Sequence, residues 1–186
     1  MKAVLMSIQP KWCELIANGK KTVEVRKTRP KIEAPFKVYI YCTSVKSMPL
    51  EEYVKIHQAT GGRIDDWHGK VIGEFVCDEI KKGTLTVSDF YDSIDIGCNE
   101  TCLRASDIKA YLGMKYVEKK GDYTFYGWHI SNLIIYDEPK ELSEFRLYNV
   151  RAYYDEELKL PMPTHEIKRP PQSWCYVEEK EGADND

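Results

Sequence analysis

Short apolar or alternating runs, each cut off by Gly, Pro or Asn, constrain this chain more than any other feature. Residues 3–7, 22–26, 36–43, 70–80, 126–136 and 172–177 read as strands by apolar content or period-two alternation. Helical segments lie between them. Residues 10–18 begin at Pro10, place Trp12, Leu15 and Ile16 at helical spacing, and stop at Asn18-Gly19. Residues 50–58 read as a helix broken by Gly61-Gly62, residues 106–112 as a helix with Ser106 as N-cap, and residues 139–145 as a short helix or turn. Strands and helices do not alternate regularly, which disfavours a doubly wound parallel sheet. The pattern points instead to an α+β, mainly β fold: a small mixed or antiparallel barrel with short peripheral helices.

At 186 residues the chain buries enough surface to fold as one domain without disulfide or metal staples. Residues 1–177 read as that domain. Residues 146–171, with four prolines and weak periodicity, read as a long loop or lid within it. Residues 178–186 form an acidic tail expected to be disordered. No apolar run approaches the ~18 residues of a membrane span, and no apolar h-region follows the first residues. Six cysteines are scattered along the chain, several inside apolar runs, as expected of reduced core thiols in a cytoplasmic protein.

The net charge of -3 and pI of about 5.9 disfavour a strongly basic nucleic-acid binder. That average hides a segregation. Residues 1–31 carry eight Lys or Arg against two Glu, whereas residues 178–186 carry five acids against one Lys. The basic end can meet phosphates although the whole chain is acidic; the plainer alternative is a solubilising surface.

Pattern and chemistry meet at Gly19-Lys20-Lys21-Thr22-Val23-Glu24-Val25-Arg26. In a strand, Val23 and Val25 turn to the core while Thr22, Glu24 and Arg26 share the other face, about 6.6 to 7 Å apart. Glu24 and Arg26 can pair or reach one ligand together. The plainer reading is a solvated strand face whose ion pair is worth about 0.2–1 kcal/mol. Strict alternation places Lys21 on the valine side, but its aim depends on the turn that precedes the strand.

The pattern Gly19-x-Lys21-x-x-Glu24-x-Arg26, preceded by Ser7-Ile8-Gln9-Pro10-Lys11-Trp12 and a short helix, resembles the signature of the ASCH domain, a relative of the PUA RNA-binding domain. Val71-Ile72-Gly73-Glu74-Phe75-Val76-Cys77 and Gly127-Trp128-His129-Ile130-Ser131 also resemble family strands. The resemblance covers roughly residues 1–136 and the final strand through Trp174. It implies a PUA-like mixed β-barrel with a cleft beside the first helix, lined by Lys21, Glu24 and Arg26, that binds RNA or a nucleotide. Ser7, Lys11 and Trp12 of the flanking segment join that set. So does Trp174, held by Pro170-Pro171 where it can reach a cleft mouth. Physically, Arg26 can fork onto a phosphate. Lys21 can contact a phosphate or act as base or nucleophile, and Glu24 can orient either cation or serve as general base.

Some small ASCH proteins resemble amidohydrolases of N4-acetylcytidine that use a Lys, a Thr and a Glu. Their Lys matches Lys21. Their Thr falls on Glu24, so the hydroxyl is missing there, and Glu74 is a candidate second carboxylate. Other members are ribonucleases, which needs a base and a cation near the 2′-hydroxyl. Binding module and hydrolase therefore both remain open.

Aromatic residues offer stacking platforms, with Trp12, Tyr39, Tyr41, Trp128 and Trp174 as candidates; the alternative for each is core packing. Cys98-x-x-x-Cys102 is a single close pair, whereas zinc sites show two, so no metal is expected. His68 and His129 read as structural. No P-loop or dinucleotide motif occurs, and no cofactor is expected.

Overall fold

The computed structural model describes residues 1–46, 48–85, 98–113, 123–148, 154–155, 160–161 and 166–180. The elements in order are β1 (Lys2–Ile8), α1 (Pro10–Ala17), β2 (Val23–Arg26), β3 (Phe36–Cys42), α2 (Leu50–Ala59), α3 (Ile64–Trp67), β4 (Val71–Cys77), β5 (Ile80–Leu85), α4 (Cys98–Thr101), α5 (Ala105–Leu112), β6 (Tyr123–His129), β7 (Ser131–Lys140), a 3-10 turn (Leu142–Glu144), β8 (Tyr154–Asp155), β9 (Leu160–Pro161) and β10 (Trp174–Glu178). The fold is mixed α+β and strand-dominated, with short helices. Among the described residues the strands form sheets of five, three and two, with no closed barrel shown among them. No described helix is long and apolar enough to cross a membrane. The chain divides into two compact units, each discontinuous in sequence: Met1–Pro10, Lys37–Glu74 and Ile134–Asp186 in one, Lys11–Phe36 and Phe75–Leu133 in the other.

The first unit is built on the five-stranded sheet, in the order β10-β1-β3-β4-β7. β1 runs parallel to β3, with Val4 beside Val38, and antiparallel to β10, with Met6 opposite Trp174. Both β1 and β3 are apolar on two faces and buried along nearly their whole length, as interior strands covered on both sides must be. Ala3, Leu5, Tyr39, Tyr41, Val71, Phe145, Ile167 and Val177 form one core cluster. Tyr39 and Tyr41 are therefore core residues and not stacking platforms, at 0% and 7% exposure. Burial pushes the Tyr39 hydroxyl up to about 12, and that oxygen accepts the Lys180 amide N–H at 2.8 Å.

Of the acidic tail, Glu178 ends β10, and the Glu179 amide donates to the Met1 carbonyl at 2.8 Å. Residues 181–186 lie outside the described residues. The expected lid over residues 146–171 also falls largely outside them. Its described parts include bridges from Arg146 to Glu166 and from Leu147 to Val177, the β8–β9 pair, and Ile167 in the core cluster.

The second unit holds the antiparallel sheet β2-β6-β5. Val23 and Val25 enter a core with Leu85, Ile108 and Phe125, as alternation predicts. Two expected long strands are broken. Residues 70–80 part at Asp78-Glu79, because Ile80 pairs with Trp128 in a different sheet from β4. Residues 126–136 part at Ile130, whose amide turns to the Thr22 carbonyl at 2.8 Å, and Asn132 follows with a left-handed φ of 46°. Periodicity reads local alternation and cannot see a chain change sheets. Ser106 lies inside the first turn of α5 and is not its cap. The helix starts at Ala105, with the Arg104 amide donating to the Asp107 carboxylate at 2.9 Å. The four-residue helices α3 and α4 are too short to show a period.

β4 and β7 approach closely at Gly73, where an added Cβ would sit 2.3 Å from the Ile134 carbonyl oxygen and 3.1 Å from the Ile135 Cα. All of these are main-chain atoms of β7, which cannot swing aside as a flexible side chain could. Gly73→Ala should cost about 1–3 kcal/mol, lowering the melting temperature by roughly 2–4 °C per kcal/mol. A thermal melt matching the parent would show that the two strands are not so close.

Candidate functional site

The signature segment is shaped first by the end of α1. The Gly19 amide donates to the Ile16 carbonyl at 2.9 Å and the Lys20 amide to the Leu15 carbonyl at 2.9 Å, with Gly19 at a φ of 68°. This is the Schellman pattern, and it explains the glycine: a side chain at a left-handed position carries strain. The Lys21 amide also reaches the Leu15 carbonyl, at 3.0 Å. Lys21 thus belongs to the helix end and not to the strand, which begins at Val23. The turn, not the alternation, sets its aim.

Lys21 is buried, with 1% exposure. Its Nζ donates to the Thr101 carbonyl at 2.6 Å, pairs with Glu24 Oε2 at 3.2 Å, and lies 5.2 Å from the centroid of the Trp12 ring. Arg26 Nη2 pairs with Glu24 Oε1 at 3.1 Å. Each oxygen of one carboxylate therefore takes a different cation. Glu24 and Arg26 are 5% and 8% exposed, so the solvated surface pair is overturned. An ammonium has three N–H donors, and the contacts to Thr101 and Glu24 use two of them. Lys11 Nζ lies 4.6 Å from the same half-buried Trp12 ring. A cation beside an indole face is attracted by its quadrupole.

The acceptor of Lys21 comes from eighty residues downstream. α4 lies along the turn: the Thr22 amide donates to the Glu100 carbonyl at 2.9 Å, and the Cys102 thiol to the Lys20 carbonyl at 3.2 Å. Thr101 is fully buried, and its hydroxyl accepts the Leu103 amide at 3.2 Å. Nothing in the sequence marks this residue, since a backbone carbonyl serves whatever the side chain is.

Lys11, Trp12, Lys21, Glu24 and Arg26 all belong to the second unit, whereas Ser7, Glu74 and Trp174 belong to the first. The Ser7 hydroxyl donates to the Pro171 carbonyl at 2.6 Å. Trp174 packs edge-on to Tyr176, with centroids 5.3 Å apart. Glu74 pairs with Lys37 Nζ at 3.0 Å and accepts the Tyr136 hydroxyl at 2.5 Å. Burial and that bond to Glu74 push the tyrosine's pKa strongly upward.

Trp128 is fully buried against Phe36, edge-on at 5.6 Å, and is core rather than a base platform. His129 sits opposite Val23 on β6, and its Nδ1 lies 2.6 Å from Asp78 Oδ1. The ring's hydrogen bond holds the Asp78 carboxyl below its usual range. Among the described residues no group of three or more His, Cys, Asp or Glu could hold a metal ion.

The model of the ASCH domain matches residues 6–157, and the chain belongs to that family. Solved structures agree. The crystal structure of ASCH from Zymomonas mobilis is 18% identical, with 95% of this chain and 88% of that chain covered and a TM-score of 0.50. A point mutant of the Zymomonas mobilis protein is also 18% identical, over 95% and 89% of the two chains, with a TM-score of 0.54. At that identity the likeness speaks to the fold. No curated protein matches the chain.

Glu24 separates two buried cations, so neutralising it leaves them facing each other. Glu24→Gln should cost about 3–5 kcal/mol, read as a lower urea midpoint at unchanged slope. A cost below about 1 kcal/mol would place the cluster in water instead.

Proposed function

We propose that this ASCH domain, PUA-like in its architecture, binds single-stranded RNA or a nucleotide, modified nucleotides included, at Lys21, Glu24 and Arg26. The observation that carries this reading is the burial of all three signature charges in one connected cluster. Buried ion pairs gain little net stability over apolar residues of the same volume, so such a cluster is better explained by a ligand than by folding. Arg26 provides a planar fork for phosphate oxygens, and Lys21 a point charge with a third N–H. Glu24 holds both in place. Trp12 supplies a ring beside the cations, the pairing used for unstacked bases.

A second reading is hydrolysis of an N-acylated nucleoside or of an RNA phosphodiester. The 3.2 Å contact between Lys21 and Glu24 supports it as an acid–base pair, although position 24 lacks the hydroxyl of the N4-acetylcytidine amidohydrolases. Incubation with N4-acetylcytidine, and with RNA free of added metal, tests this reading. Turnover that survives Glu24→Gln and Lys21→Met would place the chemistry elsewhere.

For binding, affinity for single-stranded RNA should fall with salt at a log–log slope of about -0.7 per phosphate contacted. Lys21→Met and Arg26→Lys keep the buried volume while removing the charge or the fork. Each should weaken binding by about tenfold, with circular dichroism unchanged. Wild-type protein with no salt-sensitive affinity for any RNA or nucleotide would overturn the reading.

A further inference from the structure

We propose that the segment directly after the signature forms a second, phosphate-contacting subsite, so that the ligand is a single RNA strand of two or more nucleotides and not a lone nucleoside. This rests on the reading of the Lys21–Glu24–Arg26 cluster as an RNA site. β2 ends at Arg26, and the chain continues as Lys27-Thr28-Arg29-Pro30-Lys31, with Lys27, Arg29 and Lys31 all exposed.

Arg29 and Lys31 line a cleft of about 700 Å³ together with Glu33 and the apolar Pro30, Ile32 and Ile80. That volume lies inside the range of about 300–1,000 Å³ found for small-ligand sites. Its chemistry is that of a nucleotide: two cations for a phosphate, an apolar wall for a base, and a carboxylate able to accept a base N–H such as that of uracil N3. Arg26 and Arg29 are three residues apart, so their Cα atoms lie within about 11 Å of each other. That is a reach matched by adjoining phosphates of one strand. Beside the same segment, Lys27 Nζ lies 5.1 Å from the ring centroid of Tyr111, an exposed aromatic. Cations interleaved with aromatic rings track single strands without sequence preference.

The full chain is titrated by fluorescence anisotropy with labelled uridine monophosphate and with oligouridylates of two, four and eight residues, at low and moderate salt. The variants are Lys21→Met and the double variant Arg29→Ala/Lys31→Ala, whose side chains are exposed. Wild-type affinity should rise about tenfold or more from the monophosphate to the tetranucleotide. The double variant should abolish that gain and reduce the salt slope by about 0.7, one phosphate contact, while the monophosphate still binds through the Lys21–Glu24–Arg26 cluster. Equal binding of the two probes by wild type, or a double variant that binds the tetranucleotide normally, would overturn the subsite. If Lys21→Met still weakens both probes in that case, the cluster reading stands without it. If instead only the double variant has an effect, the cluster reading falls and the cleft stands as an RNA site by itself. A poly-glutamate peptide competing as well as the tetranucleotide would overturn the assignment to RNA.

Discussion

The Glu24 carboxylate is the interaction on which the rest of the site depends. One oxygen faces Lys21 and the other faces Arg26, and all three side chains are withdrawn from water. Neither cation would be tolerated there alone, since an unpaired buried charge costs several kcal/mol. The carboxylate also fixes where the cations point, because each is held on a defined oxygen. The site thus consists of one anion that licenses the burial of two cations beside a tryptophan.

That arrangement is reached through backbone geometry and not through strand alternation. Gly19 accepts the left-handed conformation that ends α1, and the two residues after it return their amides to the Leu15 carbonyl. The chain is thereby offset before β2 begins, so Lys21 meets Glu24 instead of lying with the valines. The short helix α4 then supplies the Thr101 carbonyl. A helix end, a strand and a distant turn converge on one ammonium group, and each contributes a constraint the others lack.

The architecture was legible where local pattern carries the information. The apolar runs at β1 and β3 read as strands, and Pro10 and Gly19 bounded α1 closely. The pattern misled where a strand leaves one sheet for another. Asp78-Glu79 and Ile130 each sit inside what reads as continuous alternation, yet both mark a change of partner. Aromatic residues were similarly ambiguous: Tyr39, Tyr41 and Trp128 read equally as platforms or as core, and burial decided for the core. Trp12, half-buried, stands beside the cationic cluster.

By itself the sequence determined the family signature, the strand that presents Glu24 and Arg26 on one face, and the glycine that must precede them. These are consequences of period and of backbone freedom, which neighbouring residues set among themselves. Only the tertiary structure decided that the three charges are buried, that Lys21 joins them, and that Thr101 receives it. Burial and hydrogen-bond partners depend on segments far apart in the chain, and a main-chain carbonyl leaves no mark on the residue that carries it. The difference between a surface ion pair and a buried charged site is therefore written in packing, where the dielectric surroundings of the same three residues are set.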